Sequence, residues 1–170
     1  MTGHLSALRV SCEVIMAFEK LPSGTYGARM LPPSNPVVKL MARVMAWWHR
    51  RRGNRFLDMD VLYLTTVGAK TGQHRETPVA RIADGDAWLI IASAAGARTH
   101  PGWYHNIAEH PDQVWIEVDG VQQRVQVDQV DGAERTRAWS QVTSQHPRYA
   151  DYQRKTDRQI PVLRLTPVSQ

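Results

Sequence analysis

The spacing of apolar and polar residues changes along the chain near residue 60. Upstream, "VVKLMARVMAWWHRRR" (37–52) sets Val37, Leu40, Met41, Val44 and Trp48 on one helical stripe and Lys39, Arg43 and Arg50 on another, which predicts an amphipathic helix with a basic face. From Asp60 the spacing becomes that of strands: "VLYLTTV" is β-branched and apolar, and "RETPVARIA" follows across a glycine-containing turn. "DGD" at 84–86 punctuates a second hairpin into "AWLIIAS", and Asp119 with Gly120 joins "QVWIEVDG" to "VQQRVQVDQV". "HPGWYHNIAEHP" reads as a short helix, "GAERTRAWSQVTSQ" as a longer one, and "IPVLRLTP" as a closing strand. Consecutive hairpins of this kind predict an α+β fold: a mainly antiparallel sheet curled into a small barrel with flanking helices.

Residues 1–36 end in "LPSGTYGARMLPPSNP", whose prolines and glycines continue neither a helix nor a central strand, so they read as a leader or linker before a single domain over 37–170. A chain of 170 residues with 42% hydrophobic content has the size and composition of one ordinary globular domain. Cys12 is the lone cysteine, which excludes an internal disulfide and suits a reducing compartment; with no apolar run of about 18 residues, a cytoplasmic protein is expected. The net charge of +5 favours acidic partners without choosing between nucleic acid, an anionic membrane surface and a phosphorylated cofactor.

Two stretches carry candidate chemistry. In "TTVGAKTGQHRETP" (65–78), Gly68 and Gly72 permit a backbone nest of N–H groups, and Lys70, Thr71 and Arg75 add cationic and hydroxyl donors; the same residues also suit a solvated hairpin turn. It is not a nucleotide P-loop, because Ala69 and Leu64 stand where that motif needs glycine, and no βαβ rhythm or dinucleotide fingerprint supports a Rossmann fold. In "IIASAAGARTHPGWYHN" (90–106), the small residues Ala92, Ser93, Ala94, Ala95 and Gly96 allow a flat ligand close to the backbone. Pro101 at a helix start would leave the amides of Gly102 and Trp103 free for an anion or a ring carbonyl. The plain alternative is a strand-to-helix connection with His100 as a cap and Trp103 in the core. His100, His105 and His110 recur at intervals of five, off a common helical face, so no metal site is expected. No nucleophile elbow surrounds Cys12 or Ser93.

The run from Leu62 to Gly120, together with the later "YADYQRKTDRQIPV", resembles the deazaflavin-dependent nitroreductase family over about residues 56–167. The resemblance implies a split β-barrel and reduced coenzyme F420 as hydride donor to a quinone or nitroaromatic acceptor. It also implies contacts to the cofactor's phosphate and acidic tail from Lys70, Thr71 and Arg75, with Thr77 and Pro78 lining the next strand. Ala92, Ser93, Gly96, Arg98, Pro101, Gly102 and Trp103 would lie along the deazaflavin ring and its side chain. Tyr149 and Tyr152 would close over the substrate, and with Ser93 they are the hydroxyl donors suited to a reduced acceptor oxygen; Arg158, Ile160 and Pro161 match the closing motif. Ala69 and Ala95 depart from a commonly basic residue and a common glycine, and His146 stands where relatives can carry an aromatic residue.

Competing classes are an FMN-binding oxidase of related fold, which explains only the barrel, and a basic nucleic-acid-binding barrel, which explains only the charge; nucleic acid is not an expected partner. For helix 37–52 two readings stand, contact with an anionic membrane and packing on the barrel. A homodimer is an expectation by analogy with barrels of this class.

Overall fold

The computed structural model describes residues 18–29 and 59–168, the backbone of Arg55–Phe56, and the single positions Leu40 and Val44. Eight strands and three helices occur among these residues: β1 (Arg55–Phe56), β2 (Met59–Val67), β3 (His74–Ala80), β4 (Ile82–Asp84), β5 (Ala87–Ile91), α1 (Gly102–Glu109), β6 (Val114–Val118), β7 (Val121–Gln129), α2 (Gly132–Gln145), α3 (Arg148–Arg154) and β8 (Val162–Pro167). A single 3-10 turn, Ala94–Gly96, interrupts the path from β5 to α1.

Every strand pairing is antiparallel, in the order β1-β2-β6-β7-β8-β5-β4, with β3 on the other edge of β2. β3 and β4 are separated only by Arg81, so they act as one bent strand whose first half pairs with β2 and whose second half pairs with β5. The Arg81 amide donates to the Asp60 carbonyl at 2.8 Å across the bend. The pairings therefore run round into a split barrel, which removes most of the open sheet edge. Asp119 (φ +51°) and Gly120 (φ +83°) form the tight β6–β7 turn, where both central residues are left-handed, as the sequence pair suggests.

The apolar runs are uninterrupted because several strands are buried on both faces. Leu62, Leu64, Ile90, Ala92, Ile116, Val125, Leu163 and Leu165 meet inside the barrel with Trp103, Tyr104 and Ile107 of α1. Leu89, Ile91 and Val162, one residue out of phase, meet Ala138, Val142, Tyr149 and Ile160 on the outer face beneath α2 and α3. "AWLII" is thus two alternations superimposed. Arg164 ties this layer together by donating to Asp84 (2.7 Å) and to Glu134 of α2.

Three details stand beside the reading by spacing. Tyr149 and Tyr152 stand on a separate short helix, α3, because Pro147 breaks the helical run after Gln145. Residues 18–29, within the stretch read as leader or linker, are hydrogen-bonded to the barrel. Helix 37–52 lies outside the described residues except at Leu40 and Val44, which are helical.

Ile116 is fully buried at the barrel centre, whereas Val121 is 63% exposed. Ile116→Ala is expected to cost about 2–5 kcal/mol in denaturant unfolding, and Val121→Ala about 0.5 kcal/mol or less. Equal losses would contradict the core assignment.

Candidate functional site

After β5 the chain reverses through three consecutive left-handed residues, Ala94 (φ 44°), Ala95 (φ 51°) and Gly96 (φ 81°). Such backbone costs about 1–3 kcal/mol at each non-glycine position, so its surroundings must hold it in place. A Cβ on Gly96 would lie 2.7 Å from the Tyr152 carbonyl oxygen and 2.8 Å from the Lys155 Cβ, so α3 sits directly on the turn.

The other restraint is Arg158, which is 3% exposed. Its Nη2 donates to the carbonyls of Ser93 (2.6 Å) and Ala92 (3.2 Å), its Nε to that of Ala97 (2.8 Å), and its Nη1 to Nδ1 of His100 (3.0 Å). Because guanidinium only donates, Nδ1 of His100 must accept, which fixes the neutral imidazole with its proton on Nε2. That proton points to the carbonyl oxygens of Leu21 and Pro22, both at 3.1 Å. Burial, reinforced by the Arg158 charge, holds the His100 pKa below its ordinary value, against the opposing pull of these two carbonyls. The Tyr104 ring lies 4.6 Å from the His100 ring, and its hydroxyl accepts from the Leu21 amide (2.9 Å) and donates to Gln129 Oε1 (2.7 Å).

Residues 18–29 thereby run as a strap across the 94–104 loop. The Gly24 amide donates to the Arg98 carbonyl (2.9 Å) and the Ala28 amide to the Gly96 carbonyl (2.8 Å). Asp157 accepts from the Thr25 amide (2.9 Å) and the Thr25 hydroxyl (2.6 Å), and these bonds hold its carboxyl below the usual range. Gly27 is where a side chain cannot fit, since a Cβ would overlap the Arg98 backbone.

Beyond the loop, α1 starts at Gly102, with Pro101 one place earlier than the spacing suggests, as an extended capping residue. The amides of Gly102 and Trp103 lead the helix and have no intrahelical acceptor. A Cβ on Gly102 would meet nothing within 4 Å, so the helix start is open. The Trp103 ring itself packs in the core, so its backbone is the part available to a ligand.

The 68–73 turn is joined to the same helix by Asn106. Its Oδ1 accepts from the Ala69 amide and its Nδ2 donates to Thr66 Oγ1, both at 3.0 Å. Within the turn, the Gly68 amide donates to Gln73 O, and the Thr71 and Gly72 amides to Gly68 O. The amides of the nest expected from Gly68 and Gly72 are thus largely engaged inside the protein, which leaves exposed side chains as the donors that face solvent. Lys70 and Arg75 are exposed, and Arg75 Nη2 donates to Thr71 Oγ1 at 3.3 Å. Thr77 is half-buried and Pro78 exposed, opposite Leu64 and Tyr63 on β2.

Tyr149 is buried against the outer core, which pushes its pKa up to about 12 and keeps the phenol protonated. Tyr152 is half-buried, its ring edge-on to Tyr149 at 5.9 Å, with Lys155 Nζ 5.5 Å from its centroid. Ser93 is half-buried and makes no capping bond. The structure thus groups Ala92, Ser93, Gly96, Arg98 and α3 around one turn, and links Lys70, Thr71 and Arg75 to them through α1. Sequence reasoning missed the parts played by Asn106, Tyr104 and Asp157, and gave His100 only a capping role. A polar residue inside an apolar helix, as in "WYHNIA", was the available signal for Asn106.

A lowered His100 pKa means stability fully present above the ordinary value near 6.5 and lost as pH falls below it, since the unfolded chain takes a proton that the folded one refuses. His105, also lowered by burial and Lys20, adds to the same window, whereas Asp157 acts only in the acid range below 3.8. Urea midpoints measured from pH 8 to pH 5 should fall, and His100→Gln should flatten the decline while lowering stability throughout. An unaltered slope in that variant would remove His100 from the account.

The F420H(2)-dependent quinone reductase family model matches residues 39–167. An F420H(2)-dependent quinone reductase of Mycobacterium tuberculosis is 41% identical over 110 residues, 62% of this chain and 72% of that protein. Among solved structures, an F420-H2 dependent reductase (FDR-A) superposes with a TM-score of 0.56 at 33% identity, covering 62% of this chain and 92% of that one. Another, described as a domain-swapped dimer, gives 0.57 at 29% identity over 77% of this chain and 99% of its own. The chain is thus an oxidoreductase that belongs to the F420H(2)-dependent quinone reductase family, with reduced coenzyme F420 as its cofactor.

Proposed function

We propose that the chain reduces quinones by hydride transfer, accepts nitroaromatic compounds in the same way, and binds its cofactor along the 92–103 loop. The observation that supports this is a loop whose carbonyls are engaged by a buried guanidinium. The carbonyls of Ala92, Ser93 and Ala97 are all turned to Arg158, and the open helix start at Gly102 follows directly. The donor set suits an anionic, aromatic cofactor: amides at a helix start, the exposed cations Lys70, Arg75 and Arg98, and the Ser93 hydroxyl beside α3.

When bound, the reduced deazaflavin supplies two electrons together as a hydride from carbon. This chain's part is then orientation, exclusion of water and a proton. Lys70, Arg75 and Arg98 hold the phosphate and acidic tail. Ser93 and the amides of Gly102 and Trp103 orient the ring. Tyr152, with Tyr149 behind it, donates to the acceptor oxygen as negative charge grows there; burial of Tyr149 keeps its proton in place at neutral pH.

Helix 37–52 is read as a contact with anionic membrane, where a lipid-soluble quinone would be met. Leu40 and Val44, two positions of its apolar stripe, are 63% and 53% exposed, as an interface helix requires and a core helix does not.

Three measurements follow. Lys70→Ala with Arg75→Ala should weaken F420 binding about tenfold or more while sparing turnover at saturating cofactor, because tail contacts act equally in ground and transition states. Tyr152→Phe or Tyr149→Phe should instead slow acceptor reduction by about tenfold or more with cofactor affinity kept. The reverse pattern would exchange the two roles, and absence of any fluorescence change with F420 would refute the assignment of the site. For the membrane, Leu40→Asp with Val44→Asp should abolish salt-sensitive sedimentation with phosphatidylglycerol vesicles while leaving reduction of a soluble quinone intact. Deleting residues 1–52 is a poorer test, because it also removes the strap. Failure of the unaltered protein to sediment would end the membrane reading.

A further inference from the structure

Residues 18–29 lie outside the 39–167 stretch that the family model matches, yet they touch the 94–104 loop along its length. We propose that this strap is a working part of the cofactor-binding surface, fastened to it by the positioning residues Asp157 and His100. The inference rests on the reading that F420 lies along the 92–103 loop.

Two sets of bonds clamp that loop. From beneath, Arg158 engages the carbonyls of Ala92, Ser93 and Ala97. From the strap, Ala28 and Gly24 engage those of Gly96 and Arg98, while the Ala97 amide takes that of Ala94. With the carbonyls of residues 92–94 and 96–98 engaged by the protein, little of the loop's acceptor capacity is left to repel an anionic ligand. The amides of Gly102 and Trp103 at the helix start and the Arg98 side chain remain to attract one. The strap therefore contributes by occupying acceptors and by fixing a strained turn, which lowers the ordering cost of binding.

The fasteners stand at two points. Asp157 accepts from the Thr25 amide and hydroxyl at 2.9 and 2.6 Å, and His100 holds the carbonyls of Leu21 and Pro22 on one ring nitrogen while accepting from Arg158 on the other. His100 thus joins the strap to the Arg158 guanidinium directly, and Thr156 Oγ1, donating to the Tyr26 carbonyl at 2.9 Å, supports the outer fastening. Asp157 is exposed and outside both cores, so its replacement releases the strap without opening a cavity.

The test is hydrogen exchange on the full chain without cofactor, paired with F420 fluorescence titration. In Asp157→Ala, and independently in Thr25→Ala, the Gly24 and Ala28 amides should exchange about tenfold faster or more, the Gly96 and Ala97 amides should follow, and F420 affinity should fall about threefold to tenfold. Turnover at saturating cofactor should hold, and Asp157→Asn, which keeps one acceptor oxygen, should recover part of the affinity. Faster strap exchange with loop exchange and affinity unmoved would overturn the proposal, as would unmoved strap exchange in both variants. Coupled exchange in a protein that does not bind F420 would leave the clamp standing and refute the cofactor site instead.

Discussion

Arg158 is a buried guanidinium whose described partners are three backbone carbonyls and an imidazole, with no carboxylate among them. Burying such a charge is tolerable only when its donors are satisfied, and here the satisfaction is geometric. Carbonyls one, four and five residues apart in sequence must face one point, which an extended strand cannot arrange. The left-handed run at Ala94, Ala95 and Gly96 arranges it. The charge and the strained turn thus support each other: without the turn the guanidinium loses acceptors, and without the guanidinium the turn loses one of its restraints. Lysine could not substitute, because an ammonium lacks the planar fork that reaches separate carbonyls.

The barrel supplies the fixed points for this arrangement. β5 ends at Ile91 with one face in each core, so the loop leaves from a strand that cannot shift without disturbing both. Arg158 lies between α3 and β8, and α3 presses on Gly96 from above. On the far side of the loop, α1 is anchored in the inner core by Trp103, Tyr104 and Ile107, and Asn106 passes that rigidity to the 68–73 turn. Two stretches of sequence some thirty residues apart become one surface through a single amide side chain.

How much of this could be read beforehand follows from which interactions are local. Strands β2 and β5–β8 were legible because apolar spacing and turn pairs such as Asp119–Gly120 are written within a few residues of one another. The two candidate stretches were legible by composition. The strap was not, since proline and glycine look alike in a linker and in a segment held by remote groups, and the bond from Thr25 to Asp157 spans 132 residues. The fate of the turn's amides was hidden for the same reason: Gly68 and Gly72 suggested a nest, but the amides close the turn upon itself and Asn106 takes that of Ala69. His100 shows the limit of counting intervals, which excluded it from a metal site and left it a cap, when its two ring nitrogens join the strap to Arg158.

Placing under the loop a cation with no carboxylate among its described partners also has an electrostatic consequence. In a low-dielectric interior a charge without a counter-ion is weakly screened, and its field reaches the surface above it. The exposed cations Lys70, Arg75 and Arg98 would be screened by salt within about 10 Å, so alone they attract an anion loosely and from a distance. Arg158 acts at closer range, with its carbonyl partners held toward it. A protein with only the surface charges would concentrate an anionic cofactor without orienting it. On the proposed site, the buried charge and the strained turn would supply the fixed direction that hydride transfer requires, because a misplacement of the ring by about 1 Å can cost as much as a hundredfold in rate.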